Sequence, residues 1–144
     1  MSLLEFIKKS PKAELHLHIE GTLEPDQMFA LAKKNNIQIS FKSIEDVKTA
    51  YNFNNLDSFL KIYYEGAKVL IKEQDFFDLT WAYALKCKEE NIVHTEIFFD
   101  PQTHTERGVK FDVVINGIYS ALLKAEKQFG LSFKIIMCFL RHLD

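Results

Sequence analysis

Apolar and polar residues alternate over residues 13–19, and that period predicts a β-strand. Leu15, Leu17 and Ile19 fall on one face of it, and Glu14, His16, His18 and Glu20 on the other. Upstream, residues 3–9 read as a brief amphipathic turn closed by Ser10-Pro11. Downstream, Gly21-Thr22-Leu23-Glu24-Pro25 leads into a helix with Pro25 in its first turn and Met28, Leu31 and Ala32 as its apolar stripe, ending near Asn35-Asn36. A short helix is expected over Ile44–Ala50, followed by an Asn-rich turn. From Asn55, the three- and four-residue steps of Leu56, Phe59, Leu60, Tyr63, Ala67, Leu70 and Ile71 describe an amphipathic helix. Another helix is expected over 74–90, with Phe77, Trp81, Ala84 and Leu85 on one side and Asn91 as a left-handed stop. Ile92–Phe99 is β-branched and aromatic, a strand stopped by Asp100-Pro101. Asp112 is expected to cap a helix that buries Val114, Ile118, Ala121, Leu122 and Ala125 and stops at Gly130. Phe133–Leu140 is apolar on both faces, as in a covered parallel strand.

Strand, helices, strand, helix, strand is the order of parallel strands joined by helical crossovers. No internal repeat or linker interrupts it, so residues 1–144 read as a single unit. A hydrophobic fraction of 47% over 144 residues supports a real core and excludes disorder. The net charge of -2 gives no reason to expect nucleic acid or an anionic membrane surface. No run of about 18 apolar residues is present to span a membrane. Cys87 and Cys138 lie far apart and form no Cys-x-x-Cys pair, so they read as reduced thiols of a cytoplasmic protein. The first ten residues are too short and polar for a signal peptide.

The chemistry gathers where such folds place it, at the carboxyl ends of the strands. After the first strand come His16, His18, Glu20 and Gly21; after the second, Asp100, Pro101, Gln102 and His104; after the third, Arg141 and His142. A His-x-His pair on a strand aims two imidazoles the same way, which suits a divalent transition metal, zinc above all. The spacing alone serves a pair of structural or surface histidines equally well.

Pro11-Lys12-Ala13-Glu14-Leu15-His16-Leu17-His18-Ile19-Glu20-Gly21-Thr22-Leu23 resembles the N-terminal signature of the adenosine and adenine deaminases, zinc amidohydrolases. Asn55-Leu56-x-x-Phe59-Leu60, Glu96-Ile97-Phe98-Phe99-Asp100-Pro101-Gln102 and Arg141-His142 look like further family blocks in family order. The resemblance implies a (β/α)8 barrel with one zinc at its carboxyl mouth, and makes His16 and His18 two of the zinc ligands. It implies that metal-activated water attacks C6 of a purine and that ammonia leaves. Leu56, Phe59, Leu60 and Tyr63 match the helix that lids the family's substrate pocket, although periodicity alone makes them ordinary helix core. Gly21 and Asp100 join them as expected substrate contacts, and His104 and His142 as weaker candidates beside a solvated-loop reading. Glu14 is expected to point into the barrel near its bottom, and Trp81 to pack a helix on the barrel.

Glu20 carries the substrate question. Adenosine deaminases resemble His-x-His-x-Asp-Gly here, with the Asp meeting a ribose hydroxyl; Glu20 is one methylene longer, as in the adenine deaminase branch. The resemblance therefore implies adenine as the small-molecule substrate, hypoxanthine as product, and adenosine as the alternative. The His-x-Glu and Pro-Cys-x-x-Cys motifs of cytidine deaminases are absent.

A barrel needs about 250 residues, and three strands of eight are legible. The family's third zinc histidine, its proton-shuttling Glu, a later His and an Asp ligand have no counterpart, so no catalytic residue is expected in this chain. Two ligands fall short of the three usual for catalytic zinc. The chain reads as the N-terminal fragment of a barrel, expected to hold zinc weakly, to be inactive alone and to self-associate. A non-catalytic scaffold and another zinc amidohydrolase are the rival readings.

Overall fold

The computed structural model describes residues 2–141, so His142 lies outside the described residues. Its elements are α1 (Leu3–Lys9), β1 (Lys12–His18), a 3₁₀ turn (Ile19–Thr22), α2 (Pro25–Asn35), α3 (Ile44–Ala50), α4 (Leu56–Ala67), α5 (Glu73–Glu89), β2 (Ile92–Phe99), α6 (Pro101–Thr105), α7 (Phe111–Phe129) and β3 (Ser132–Met137). The strands form one parallel sheet in the order β1-β2-β3. Parallel neighbours joined by helices in sequence order are how a (β/α) barrel begins.

Local chemistry sets the boundaries. Pro25 occupies the first turn of α2, and Asn36 closes it in the left-handed region at φ 54°. The Asn55 side chain accepts from Ser58 N at 2.9 Å to start α4. Gly130 ends α7 at φ 74°. Asp112 is not the cap expected of it: Lys110 holds that position and Asp112 lies in the first turn, where its charge meets the positive helix end.

The simple alternation expected of β1 fails at His16. Leu15 pairs with Glu96 and Leu17 with the very next residue, Ile97, leaving His16 as an extra residue at φ 64°. This β-bulge reverses the faces that follow it. Leu17 turns to the helix-covered side and packs on the core, while Leu15, ahead of the bulge, is 60% exposed on the other. Glu14 shares the helix side with Leu17, and its carboxylate accepts from Tyr83 Oη of α5 at 2.8 Å. It therefore anchors a helix to the sheet and does not enter the barrel interior.

The core fills the space between the sheet and its helices: Ile97 and Phe99 from β2, Phe76 and Leu79 from α5, Val114, Ile118 and Leu122 from α7. The buried stripe of α5 is Phe76, Leu79, Thr80, Tyr83, Ala84 and Cys87, displaced from the expected one, and Leu85 is exposed. The displacement arises because α5 packs on two partners. Phe77 and Trp81 stack at 6.4 Å, the Lys124 ammonium lies 3.9 Å from the Trp81 ring and Phe129 closes on it at 6.0 Å. Trp81 thus joins α5 to α7, helix on helix. The two helices meet at Gly117, where a Cβ would lie 2.4 Å from the Glu73 carbonyl oxygen and 2.7 Å from Phe76 Cβ.

β3 stops at Met137, short of the expected Leu140, although Cys138 N still donates to Phe99 O at 3.0 Å. Met137 and Phe139 are exposed. Among the described residues only one face of the sheet is covered by helices, so the two-sided burial expected of this strand is not met.

Asp75 ties α2 to the start of α5. Its carboxylate accepts from Lys34 Nζ at 2.8 Å, Asn35 Nδ2 at 2.7 Å and the Ile71 and Lys72 amides at 3.0 and 2.9 Å. Burial pushes its pKa up, but these donors outweigh burial and hold it below the ordinary carboxylate value. The folded state thus binds that proton less readily than the unfolded chain. The resulting stability is complete above the unfolded carboxylate pKa and is lost as pH falls towards the folded value. Asp75→Asn is expected to cost about 2 kcal/mol at neutral pH and to flatten stability against pH below the usual carboxylate range; urea titrations at several pH values check both. Gly117→Ala is expected to cost about 3 kcal/mol, because the groups it would strike are backbone and Cβ, read from the thermal midpoint.

Candidate functional site

The bulge delivers both histidines to one place. His16 and His18 have ring centroids 5.8 Å apart, and Phe98 of β2 lies 4.5 Å from the first and 5.5 Å from the second. Side chains two apart share a face in any regular strand; here His16 reaches that face from a left-handed backbone position that few non-glycine residues adopt. His18 Nδ1 lies 3.1 Å from Asp100 Oδ2. A carboxylate accepts, so Nδ1 carries the proton and Nε2 is the nitrogen left for a ligand.

Behind this pair is a buried polar knot. Glu20, in the 3₁₀ turn, is 2% exposed. Its Oε1 accepts from Asp100 N at 2.9 Å and stands 3.0 Å from His104 Nε2. Tyr63 Oη donates to Asp100 Oδ2 at 2.5 Å and lies 3.2 Å from Glu20 Oε2. Burial, then the Glu20 and Asp100 charges, raise the Tyr63 phenol far above its ordinary value, so it keeps its proton and remains a donor.

The residues expected to lid a pocket divide between two directions. Phe59 and Tyr63 pack ring on ring at 6.1 Å, with Phe53 5.1 Å beyond Phe59, and Leu56 is 67% exposed at the start of the same helix. Leu60 lines a separate groove of about 950 Å³ with Phe41, Asn52, Asp57 and Lys61. That groove touches none of the strand-end polar residues. Gly21 sits against the Tyr63 ring, where an added Cβ would be 3.7 Å from Cε2, an ordinary contact.

His18, Asp100 and Cys138 bring potential ligand atoms within 4.8 Å of one another. Burial and then the charge of the Asp100 carboxylate push the Cys138 thiol up to about 11. Within this trio, Asp100 is already engaged by His18 and by Tyr63. The trio is the support of His18, with His16 the second imidazole at the surface.

Two members of the site escape the expectations above. Asp100 to Thr105 is not a loop, because Pro101 opens α6. That helix buries His104 completely and points it at Glu20, which excludes the solvated-loop reading. Pro101, in a position that starts helices as well as it stops strands, was the available signal. Arg107 carried none; it donates to His104 Nδ1 at 2.8 Å. Arg141 is exposed.

Fold and site together define an amidohydrolase-type barrel in its N-terminal part: parallel strands with an imidazole pair at the carboxyl end of the first. The adenosine deaminase family model matches residues 11–144, and the chain belongs to that family. It is 65% identical over 142 residues to the adenine deaminase of Psychrobacter cryohalolentis, covering 99% of this chain and 43% of that protein. With the adenine deaminase of Wolinella succinogenes it shares 66% over 143 residues, again 99% and 43%. The adenine deaminase structure from Arthrobacter aurescens superposes with a TM-score of 0.88 at 46% identity, over 93% of this chain and 41% of that one. A zinc-bound amidohydrolase from Burkholderia ambifaria shares the fold, with a TM-score of 0.81 at 20% identity over 95% and 38%. The chain thus spans about 43% of the length of the curated relatives it matches.

Tyr63→Phe is expected to destabilise the fold by about 1–3 kcal/mol, because the buried Asp100 carboxylate loses its phenol donor and Glu20 its neighbouring hydroxyl; urea denaturation beside the native protein reads the loss.

Proposed function

We propose that this chain supplies the first three strands, and two of the metal ligands, of a zinc-dependent adenine deaminase of the cytoplasm, acting in purine salvage. The supporting observation is the pair His16 and His18, gathered on one face at the carboxyl end of β1 with Asp100 orienting His18. Two imidazoles, one with its second nitrogen engaged by a carboxylate, fit a zinc ion. The chemistry zinc supplies when bound is activation of water at neutral pH for hydrolytic loss of the purine amino group as ammonia. This chain's residues hold, orient and select; the proton-shuttling groups belong to later strands.

Glu20 supports the free base over the nucleoside. The residue is 2% exposed, with Oε1 accepting from Asp100 N and His104 and Oε2 turned to the Tyr63 hydroxyl, so the carboxylate faces inward and away from a ribose hydroxyl. The names of the relatives point the same way. Gly21 and Asp100 border the purine in this reading, and Phe59 and Tyr63 form the covering face of α4, while Leu60 faces the separate groove.

The full-length enzyme carrying this chain is expected to convert adenine at least about 100-fold more efficiently than adenosine, a gap of about 2.7 kcal/mol. Loss of ultraviolet absorbance measures both, and preference for adenosine contradicts the reading. The isolated chain, with Leu15 and Phe139 60% and 69% exposed, is expected to turn over neither substrate and to self-associate. A compact monomer on size-exclusion chromatography contradicts the latter.

A further inference from the structure

His104 and Arg107 touch neither imidazole of the pair, yet they sit at the root of everything that holds His18. Arg107 is anchored first. Its guanidinium donates to the carbonyls of Ala67 at 2.8 Å and Lys68 at 3.2 Å, and also to that of Leu70, at and just beyond the end of α4. Its Nε donates to Thr103 O at 3.2 Å, reaching back into α6 from the turn that follows it. These bonds tie α4, which carries Tyr63, to α6, which carries His104.

The remaining contact decides a tautomer. Arg107 Nη2, shared with the Ala67 and Leu70 carbonyls, stands 2.8 Å from His104 Nδ1, and Glu20 Oε1 stands 3.0 Å from Nε2; a guanidinium only donates and a carboxylate accepts. His104 Nδ1 is therefore the acceptor, the proton resides on Nε2, and Nε2 donates to Glu20 Oε1 at 3.0 Å. The His104 ring is fully buried and meets Phe76 edge-on at 4.8 Å, so packing holds the ring as firmly as the two hydrogen bonds. Glu20 accepts at that same oxygen from the Asp100 amide, which sets the backbone from which the Asp100 carboxylate reaches His18.

We propose that His104, held in one tautomer by Arg107, is a positioning residue of the metal site: it fixes Glu20, through Glu20 the turn that carries Asp100, and through Asp100 the imidazole of His18. This rests on the reading of His18 as a zinc ligand. A ligand ring oriented through a chain of buried hydrogen bonds keeps one nitrogen aimed outward, and loosening the chain weakens metal binding before it unfolds the protein. The Arg107 contacts to α4 make the arrangement depend on the covering helix as well.

The test uses the full-length enzyme and two variants. His104→Gln keeps an N–H near Nε2 and offers Arg107 no ring nitrogen; His104→Phe keeps the ring volume and removes both polar atoms. Zinc affinity by competition with a chromophoric chelator is expected to fall about 10–100-fold in His104→Phe and to recover to within about threefold of native in His104→Gln. In steady state, kcat for adenine follows the same order while KM changes less. Native zinc affinity in His104→Phe overturns the proposal and leaves the metal reading standing, as does a His104→Gln variant as weak as His104→Phe. A native enzyme that binds no zinc, or binds it equally after His18→Ala, overturns the metal reading and the proposal together. Should His104→Phe fail to fold, ¹⁵N spectra of the native imidazoles decide: His104 protonated at Nε2 and His18 at Nδ1 are expected, and either ring in the opposite tautomer overturns the proposal.

Discussion

A carboxylate without water must find its donors in the protein, and Glu20 finds them in three different elements. The Asp100 amide comes from the end of β2, His104 from α6 and Tyr63 from α4. An ionised group left unpaired there would cost several kcal/mol, so these elements are held in place relative to the 3₁₀ turn that bears Glu20. Tyr63 carries the constraint forward to Asp100, and Asp100 carries it to His18. The histidine pair is thus the exposed end of a buried network.

The bulge at His16 is the second constraint. One extra residue in β1 lets Glu14 and Leu17 both face the helices, where the first binds Tyr83 and the second fills core. It also leaves His16 at φ 64°, a conformation that costs free energy and is held by the strand pairing on both sides. The fold spends stability where the proposed ligands stand, and the packing of α5 against α7 around Gly117 and Trp81 offsets it away from the site.

Much of this was legible in the amino-acid order. Helices α2 to α5 and α7, and strands β1 to β3, follow from periodicity and stop signals such as Asn36, Asn91 and Gly130, because burial on one face leaves a repeat in the residue types. The end of α4 differs: it falls at Ala67, whereas the expected stripe runs on to Leu70 and Ile71, which are packed in the segment that follows. The bulge was not legible, since Leu-His-Leu-His alternates whether or not one residue is unpaired. Nor was α6, because Pro101 both ends a strand and begins a helix. His16, His18 and Glu20 stood out as a motif, but the partners of Glu20 lie 43, 80 and 84 residues away and are joined to it only by the fold. Nothing in the residues around Arg107 marks it, because its carbonyl partners lie 39 and 40 residues away.

On the adenine reading, Glu20 is turned inward, against the use of ribose, by donors that a shorter side chain would not reach. Replacing Glu20 with Asp in the full-length enzyme and measuring kcat/KM for adenine and adenosine tests it most directly. The adenine-to-adenosine ratio is expected to fall at least about tenfold, or about 1.4 kcal/mol, as the carboxylate withdraws from His104 and the Asp100 amide. An unchanged ratio would contradict it.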